Sequence, residues 1–90
     1  MRTLADIRRR AAAGARLEVT EQTKRPVLVG SVRTITGACS ARCYDWTDAD
    51  GERYCTRWPL ARNLRIIDAD TFEYDLPHPN KGHIIRLRFV

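Results

Sequence analysis

Residues 64–74 read Leu-Arg-Ile-Ile-Asp-Ala-Asp-Thr-Phe-Glu-Tyr, and this stretch decides the fold class. Its turn triplet, Asp68-Ala69-Asp70, lies between two runs in which apolar and charged residues alternate, a pattern typical of a β-hairpin. A three-residue loop predicts three cross-strand pairs: Ile66 with Phe72, Leu64 with Tyr74, and Arg65 with Glu73. The last pair is an ion pair on the outer face of the hairpin, which supports the same register independently.

A second triplet, Asp48-Ala49-Asp50, predicts another hairpin but leaves its register open. If the loop is residues 49–51 with a left-handed glycine at 51, Trp46 faces Tyr54; if the loop is residues 48–50, Tyr44 faces Tyr54. The two registers differ by two residues, so both keep the same faces. One face then carries four aromatic rings: Tyr44, Trp46, Tyr54 and Trp58.

The chain before these hairpins predicts one helix and two strands. Thr3 and Asp6 form a capping pattern and Gly14 is a typical helix end, so we expect a helix over about residues 4–13. A short strand follows, and residues 27–36 are interpreted as one long strand that bends at a glycine.

These patterns predict a mostly β single domain over residues 1–90. The helix precedes five or six short strands over about residues 16–90, which form a small, partly open antiparallel barrel of the SH3-like or OB-like kind. Alternation assigns the predicted core to Leu17, Val19, Leu64, Ile66, Phe72, Tyr74, Ile85, Leu87 and Phe89. A proline-bounded loop at 77–80 precedes the last strand, whose outer edge we expect to be free, so that two copies could pair through an edge strand.

Charge and composition limit the functions that the sequence allows. The net charge is +5, and of the 16 basic residues only Lys24 and Lys81 are lysines. Arginine binds phosphate and carboxylate through a planar fork, so a polyanion or an acidic protein surface is the expected partner, although arginine-rich coding also follows from a GC-rich genome. The N-terminus has no apolar leader and no run is long enough to cross a membrane, which predicts a cytoplasmic protein with no membrane contact.

The sequence predicts no enzyme, no cofactor and no metal site. The carboxylates cluster in turns, and neither histidine has a nucleophile at a suggestive spacing. Cys39, Cys43 and Cys55 with a histidine could in principle hold zinc, but the spacing is loose for a zinc finger, and reduced, half-buried thiols are the preferred interpretation.

The residues that remain for binding are outward arginines and two rings. An arginine-bearing sheet face could follow a phosphate backbone, and an exposed ring beside it could stack a base. The predicted nucleic-acid-binding residues, for DNA or RNA, are Arg53, Arg57, Arg65, Arg86, Arg88, Tyr44 and Trp46. Exposed strand positions are often charged, and four rings on one hairpin face are more often core. The alternative function is a protein-binding adaptor or inhibitor module of the kind that phages and mobile elements encode.

Overall fold

The structure is a computed structural model that describes residues 1–75 and 82–90, without the side chain of Cys39. The loop expected at 77–80 lies outside the described residues. The helix α1 spans Leu4–Arg10, and the strands are β1 Arg16–Gln22, β2 Val32–Ser40, β3 Cys43–Thr47, β4 Arg53–Arg57, β5 Leu64–Ile66, β6 Thr71–Asp75 and β7 Ile84–Phe89. Single 3₁₀ turns lie at Pro26–Leu28 and Ala61–Asn63.

The strands form one sheet, and its order places the C-terminal strand near the middle. The order is β4-β3-β2-β1-β7-β6-β5, and every pairing is antiparallel. The mostly β, partly open class with one helix is therefore confirmed, with seven strands where five or six were expected. The expectation of a free edge on the last strand was wrong, because β7 pairs with β1 and β6 on its two sides. The sheet edges are β4 and β5, and pairing of two copies through an edge stays a prediction.

Both hairpins have registers that the sequence predicted. The β5–β6 hairpin pairs Ile66 with Phe72, Leu64 with Tyr74 and Arg65 with Glu73, as expected. The β3–β4 hairpin takes the first of its two registers, with Trp46 opposite Tyr54. Gly51 has a φ of +81°, which a glycine adopts without a steric penalty and which closes that turn.

Helix α1 begins at its predicted cap but is shorter than expected. Thr3 Oγ1 accepts the backbone N–H of Asp6 at 3.2 Å, and the Asp6 carboxylate accepts the N–H of Thr3 at 3.1 Å. The helix ends at Arg10, because the backbone at residues 14–15 pairs with Ile35 of β2 and leaves the helical path.

Helix α1 also connects the two halves of the sheet. Ile7 is fully buried in the core. The Arg8 guanidinium donates to the carbonyl of Ala41 in the β2–β3 turn, and the Arg10 guanidinium reaches the Asp70 carboxylate at 2.7 Å in the β5–β6 turn. The triplet Arg8-Arg9-Arg10 has the pattern of a solvent-exposed helix face, yet two of its residues bind turns at opposite ends of the sheet.

The core lies on one face of the sheet, which we call the inner face. Seven of the nine residues predicted for the core are buried, and Leu64 and Ile66 are half-buried against them. The core also contains Ile7, Ala11, Ile35 and Tyr44. The face opposite, which we call the outer face, carries most of the charged strand residues.

Two local expectations were wrong. Residues 27–30 are not strand, because the chain forms a 3₁₀ turn at Pro26–Leu28 and turns again at Gly30, whose φ is +92°; Val27 is 84% exposed. The expectation of reduced thiols holds for Cys43, which is free and half-buried, but Cys55 is disulfide-bonded. An odd number of cysteines requires only that one of them remain unpaired.

Candidate nucleic-acid interface

Three of the predicted arginines are already neutralised by carboxylates on the outer face. Arg65 and Arg86 flank Glu73, with nitrogen–oxygen distances of 2.9 and 2.8 Å, because register places one on each neighbouring strand. Arg88 pairs with Glu18 of β1 at 2.8 Å. These arginines are less available to phosphate than the sequence suggested, since a ligand would have to displace a protein carboxylate.

Glu73 is the centre of this charge cluster. It is 9% exposed, because the two arginine side chains cover it from either side. Burial alone would raise the pKa of Glu73, but the hydrogen bonds from Arg65 and Arg86 outweigh burial and hold that pKa below its usual value. The cluster is therefore ionised at neutral pH and stabilises the β5–β6–β7 half of the sheet.

Arg53 and Arg57 differ from the other three. Both are exposed on the edge strand β4, and neither forms an ion pair with any residue that the structure describes. The outer face places Arg53 opposite Thr47 and Arg57 opposite Cys43. Asp45 of β3 lies opposite Cys55, which is between the two arginines in β4, but its carboxylate forms no ion pair with either guanidinium. The free cationic groups of the predicted set thus lie together at one edge.

Neither predicted ring has a face that a base could use. Tyr44 is 2% exposed and belongs to the core, because its strand position points to the inner face beneath Trp58, whose ring centroid lies 4.4 Å away. Trp46 is half-buried, and its ring has a neighbour on each side. The assignment of Tyr44 as a stacking residue was wrong, and the ring of Trp46 is covered by Arg33 and Tyr54.

Those neighbours form a stack across three adjacent strands. The Arg33 guanidinium of β2 lies 4.3 Å from the centroid of the Trp46 ring, and the Tyr54 ring of β4 stacks on the opposite side at 4.3 Å with an interplanar angle of 18°. The Tyr54 hydroxyl donates to Asp48 at 3.2 Å, which fixes the ring and raises the pKa of that hydroxyl. Tyr54 is 44% exposed and ends the stack at the open edge of the sheet. It is therefore the ring on which a base can continue the stack.

A cleft lies beside this stack, between the β1–β2 connection and the β3–β4 turn. Its volume is about 630 Å³. The lining includes Gln22, Arg25, Arg33, Trp46, Asp48 and Tyr54. Arg33 is 8% exposed, and its Nη1 donates to the Tyr44 hydroxyl at 2.8 Å. The cleft therefore combines a buried cation with an aromatic wall.

Sequence reasoning missed Arg25, Arg33 and Tyr54 as site residues. A signal for Arg33 was present, because Ile35 two residues later is an inner-face residue and strand alternation places Arg33 on the same face. A cation at an inner position is unusual and could have been recognised. No signal marked Arg25, whose place beside the cleft depends on the fold of the β1–β2 connection.

Comparison of the chain with protein-family models, with curated proteins and with solved structures finds no match. The fold and the geometry of the site therefore carry the functional argument by themselves. Within residues 1–75 and 82–90, no group of three or more metal-ligating side chains converges. In the same described ranges, no helix has the length and apolarity needed to span a membrane.

Proposed function

We propose that the protein is a non-enzymatic module that binds single-stranded nucleic acid, DNA or RNA, along the edge strand β4. One observation carries the proposal: Arg53 and Arg57, which form no ion pair within the described residues, are on the same short strand as the exposed ring of Tyr54. The ring and the two guanidiniums project from opposite faces of this edge strand, so a single strand that follows the open edge can contact both. Cationic groups combined with stacking rings are the means by which proteins hold single strands.

The proposal favours a single strand over a duplex. A base can stack on Tyr54 only when it is not already paired and stacked within a double helix. Acidic residues surround the tip of the adjacent turn, at Asp48, Asp50 and Glu52, and a bulky duplex would have to approach them. A flexible strand can follow β4 and avoid the tip.

The test is the fluorescence anisotropy of labelled oligonucleotides titrated with the protein at two salt concentrations. Single-stranded DNA and RNA should bind more tightly than a duplex of the same sequence, and binding should weaken as salt rises. The double variant Arg53→Gln/Arg57→Gln should lower affinity roughly ten-fold and reduce the salt slope by about 1.4, since each phosphate contact on a single strand contributes about 0.7.

The matched control is Arg2→Gln/Arg88→Gln, which removes the same net charge. Arg88 is already paired with Glu18 and lies four strands away from β4 in the sheet order, so this variant should lose much less affinity. Absence of binding by the folded protein at low salt would overturn the proposal and direct attention to a protein partner. Equal losses of affinity in the two variants would show that binding depends only on net charge, and would contradict a site on β4.

A further inference from the structure

We propose that the cleft beside Arg33 is a subsite for one nucleotide, with the phosphate at the Arg33 and Arg25 guanidiniums and the base against the ring of Tyr54. This inference rests on the proposed function, because it places one unit of the bound strand. It assigns a role to the buried Arg33, which the outer arginines of β4 do not explain.

The first step of the argument is the unbalanced charge of Arg33. Its side chain is more than nine-tenths buried, yet it has no ion pair with any carboxylate in the described part of the chain. A guanidinium carries five N–H donors; Nη1 donates to the Tyr44 hydroxyl, and Arg33 also hydrogen-bonds with the Tyr74 side chain. Both partners are neutral hydroxyls, so neither balances the charge. Burying a cation without an anion is unfavourable, and the contact with Trp46 offsets only part of that cost. An anion that enters the cleft would neutralise the charge of Arg33.

The second step is an independent polar atom at the same place. Gln22 lines the cleft, is 7% exposed, and its Oε1 has no hydrogen-bond partner among the described residues. Buried polar atoms of folded proteins are nearly always paired, so an orphan that lines a cleft indicates a missing partner. A side-chain amide offers both donors and an acceptor, which suits the edge of a nucleobase.

The third step limits the ligand to a single phosphate. Asp48 and Asp50 also line the cleft and would repel a polyphosphate. The Asp48 carboxylate is partly compensated, because it accepts the backbone N–H groups of Asp50 and Glu52 as well as the Tyr54 hydroxyl. Three arginines, Arg16, Arg25 and Arg33, line the cleft against these two carboxylates. The excess of one positive charge matches a single phosphate group. The volume of about 630 Å³ lies within the range of about 300–1,000 Å³ that small-molecule sites occupy.

The experiment follows the backbone and indole N–H resonances of the full chain by NMR while uridine monophosphate is added, with uridine and inorganic phosphate as comparison ligands. We expect a saturable shift of the Trp46 indole resonance with uridine monophosphate, and binding at least ten-fold weaker for uridine and for inorganic phosphate. The Trp58 indole is the internal control, since Trp58 does not line the cleft.

Two variants test the assignment. Gln22→Leu removes an unpartnered polar atom, so it should keep the fold and weaken the nucleotide roughly five-fold. Arg33→Met should abolish the nucleotide shift, and its own spectrum shows whether it is folded. Arg62→Gln, in the turn before β5, is the charge control and should bind as the unmodified chain does.

Each outcome separates this inference from the proposed function. If oligonucleotides bind but uridine monophosphate leaves the Trp46 resonance unmoved and Gln22→Leu keeps full affinity, the subsite is wrong and the proposal for β4 stands. If neither oligonucleotides nor the mononucleotide bind to the folded chain, both are overturned. A Trp46 shift that survives in folded Arg33→Met would place the ligand elsewhere and contradict the subsite.

Discussion

At the residue scale, the clearest feature is a carboxylate held between two arginines. Glu73 occupies an outer-face position that sequence alternation marks as solvent-exposed, yet it is almost completely covered by Arg65 and Arg86. Strand order brings this about, since β6 lies between β5 and β7. Glu73, which the sequence pattern places on the surface, is thus part of a stabilising cluster.

Glu73→Gln should reveal this cluster through the pH dependence of stability. The folded-state pKa of Glu73 is lowered relative to its ordinary value of 4.5, so its contribution is present above about pH 4.5 and is lost as the pH falls through the lower folded value. At pH 7 we expect Glu73→Gln to reduce the free energy of unfolding by about 1–3 kcal/mol, because the charge-assisted hydrogen bonds from both arginines are weakened. The loss is no larger because both arginines are partly solvated and can rehydrate. The measurement is urea denaturation at pH 7 and pH 3.

The difference between the two proteins should be smaller at pH 3 than at pH 7, because the stabilisation from the Glu73 charge is lost as the pH falls through its lowered folded-state pKa. Glu52→Gln is the control, because Glu52 is exposed in the β3–β4 turn and forms no ion pair within the described residues. A pH-independent loss for Glu73→Gln would contradict the role of its charge.

At the scale of elements, the β3–β4 hairpin determines the candidate site. Its register stacks Tyr54 on Trp46 and presents Arg53 and Arg57 on the opposite face of the same strand. The register depends on a turn that only a residue of positive φ can close, and Gly51 supplies it at +81°. The local sequence of the turn therefore controls the geometry of the site.

Gly51→Ala should destabilise the protein by about 1–2 kcal/mol, because an L-residue in the left-handed region carries that steric penalty. A Cβ at this position would meet nothing within 4 Å, so the expected loss is conformational and not a packing clash. Thermal denaturation of the variant measures it.

Gly37→Ala is the matched control, since Gly37 has no positive φ and its Cβ would also meet open space. That substitution should be neutral or stabilise by up to about 1 kcal/mol, because it reduces the freedom of the unfolded chain. Equal losses at positions 37 and 51 would contradict the conformational explanation.

At the scale of the whole molecule, β7 connects the two parts of the sheet. It is the third strand from the β5 edge and pairs on both sides, with the preceding strand β6 on one edge and with the distant N-terminal strand β1 on the other. Leu87 is fully buried between Val19 and Phe72 in neighbouring strands. The stability of the sheet should therefore depend strongly on this strand.

Leu87→Ala should lower the free energy of unfolding by about 2–5 kcal/mol through lost burial and the cavity left behind. A small domain has a total stability of about 5–15 kcal/mol, so the variant should have a markedly lower urea midpoint. Val90→Ala is the control, because Val90 is 56% exposed, and it should change stability by less than about 0.5 kcal/mol. Similar midpoints for the two variants would contradict a central β7.

Charge is also divided at this scale. The ion pairs of Arg65, Arg86 and Arg88 lie in the half of the sheet built from β1 and β5–β7, whereas Arg53 and Arg57 lie on the far edge. Net charge and strand alternation do not distinguish among these five arginines, because all five are cations at outer-face positions. Only the neighbouring strands decide which of them remain available to a ligand.

Much of the fold could be predicted because it depends on local chemistry. Alternation with period two indicated both faces of each strand, and turn residues indicated both hairpins; the Thr3–Asp6 cap started the helix where expected. The errors occurred where distant contacts compete with local preference. Residues 11–13 lie outside the helix because the chain next to them pairs with β2, and Val27 lies in a 3₁₀ turn instead of the expected strand.

The sequence by itself determined the mostly β class, the hairpins, most of the core and the excess of arginine, since periodicity, turn chemistry and charge are read from neighbours along the chain. Only the tertiary structure decided that β7 is central, that three arginines are neutralised, and that Arg33, Trp46 and Tyr54 stack beside a cleft. The physical reason is that strand order and ion pairing join residues far apart in sequence, and their energies depend on distances that no local pattern contains.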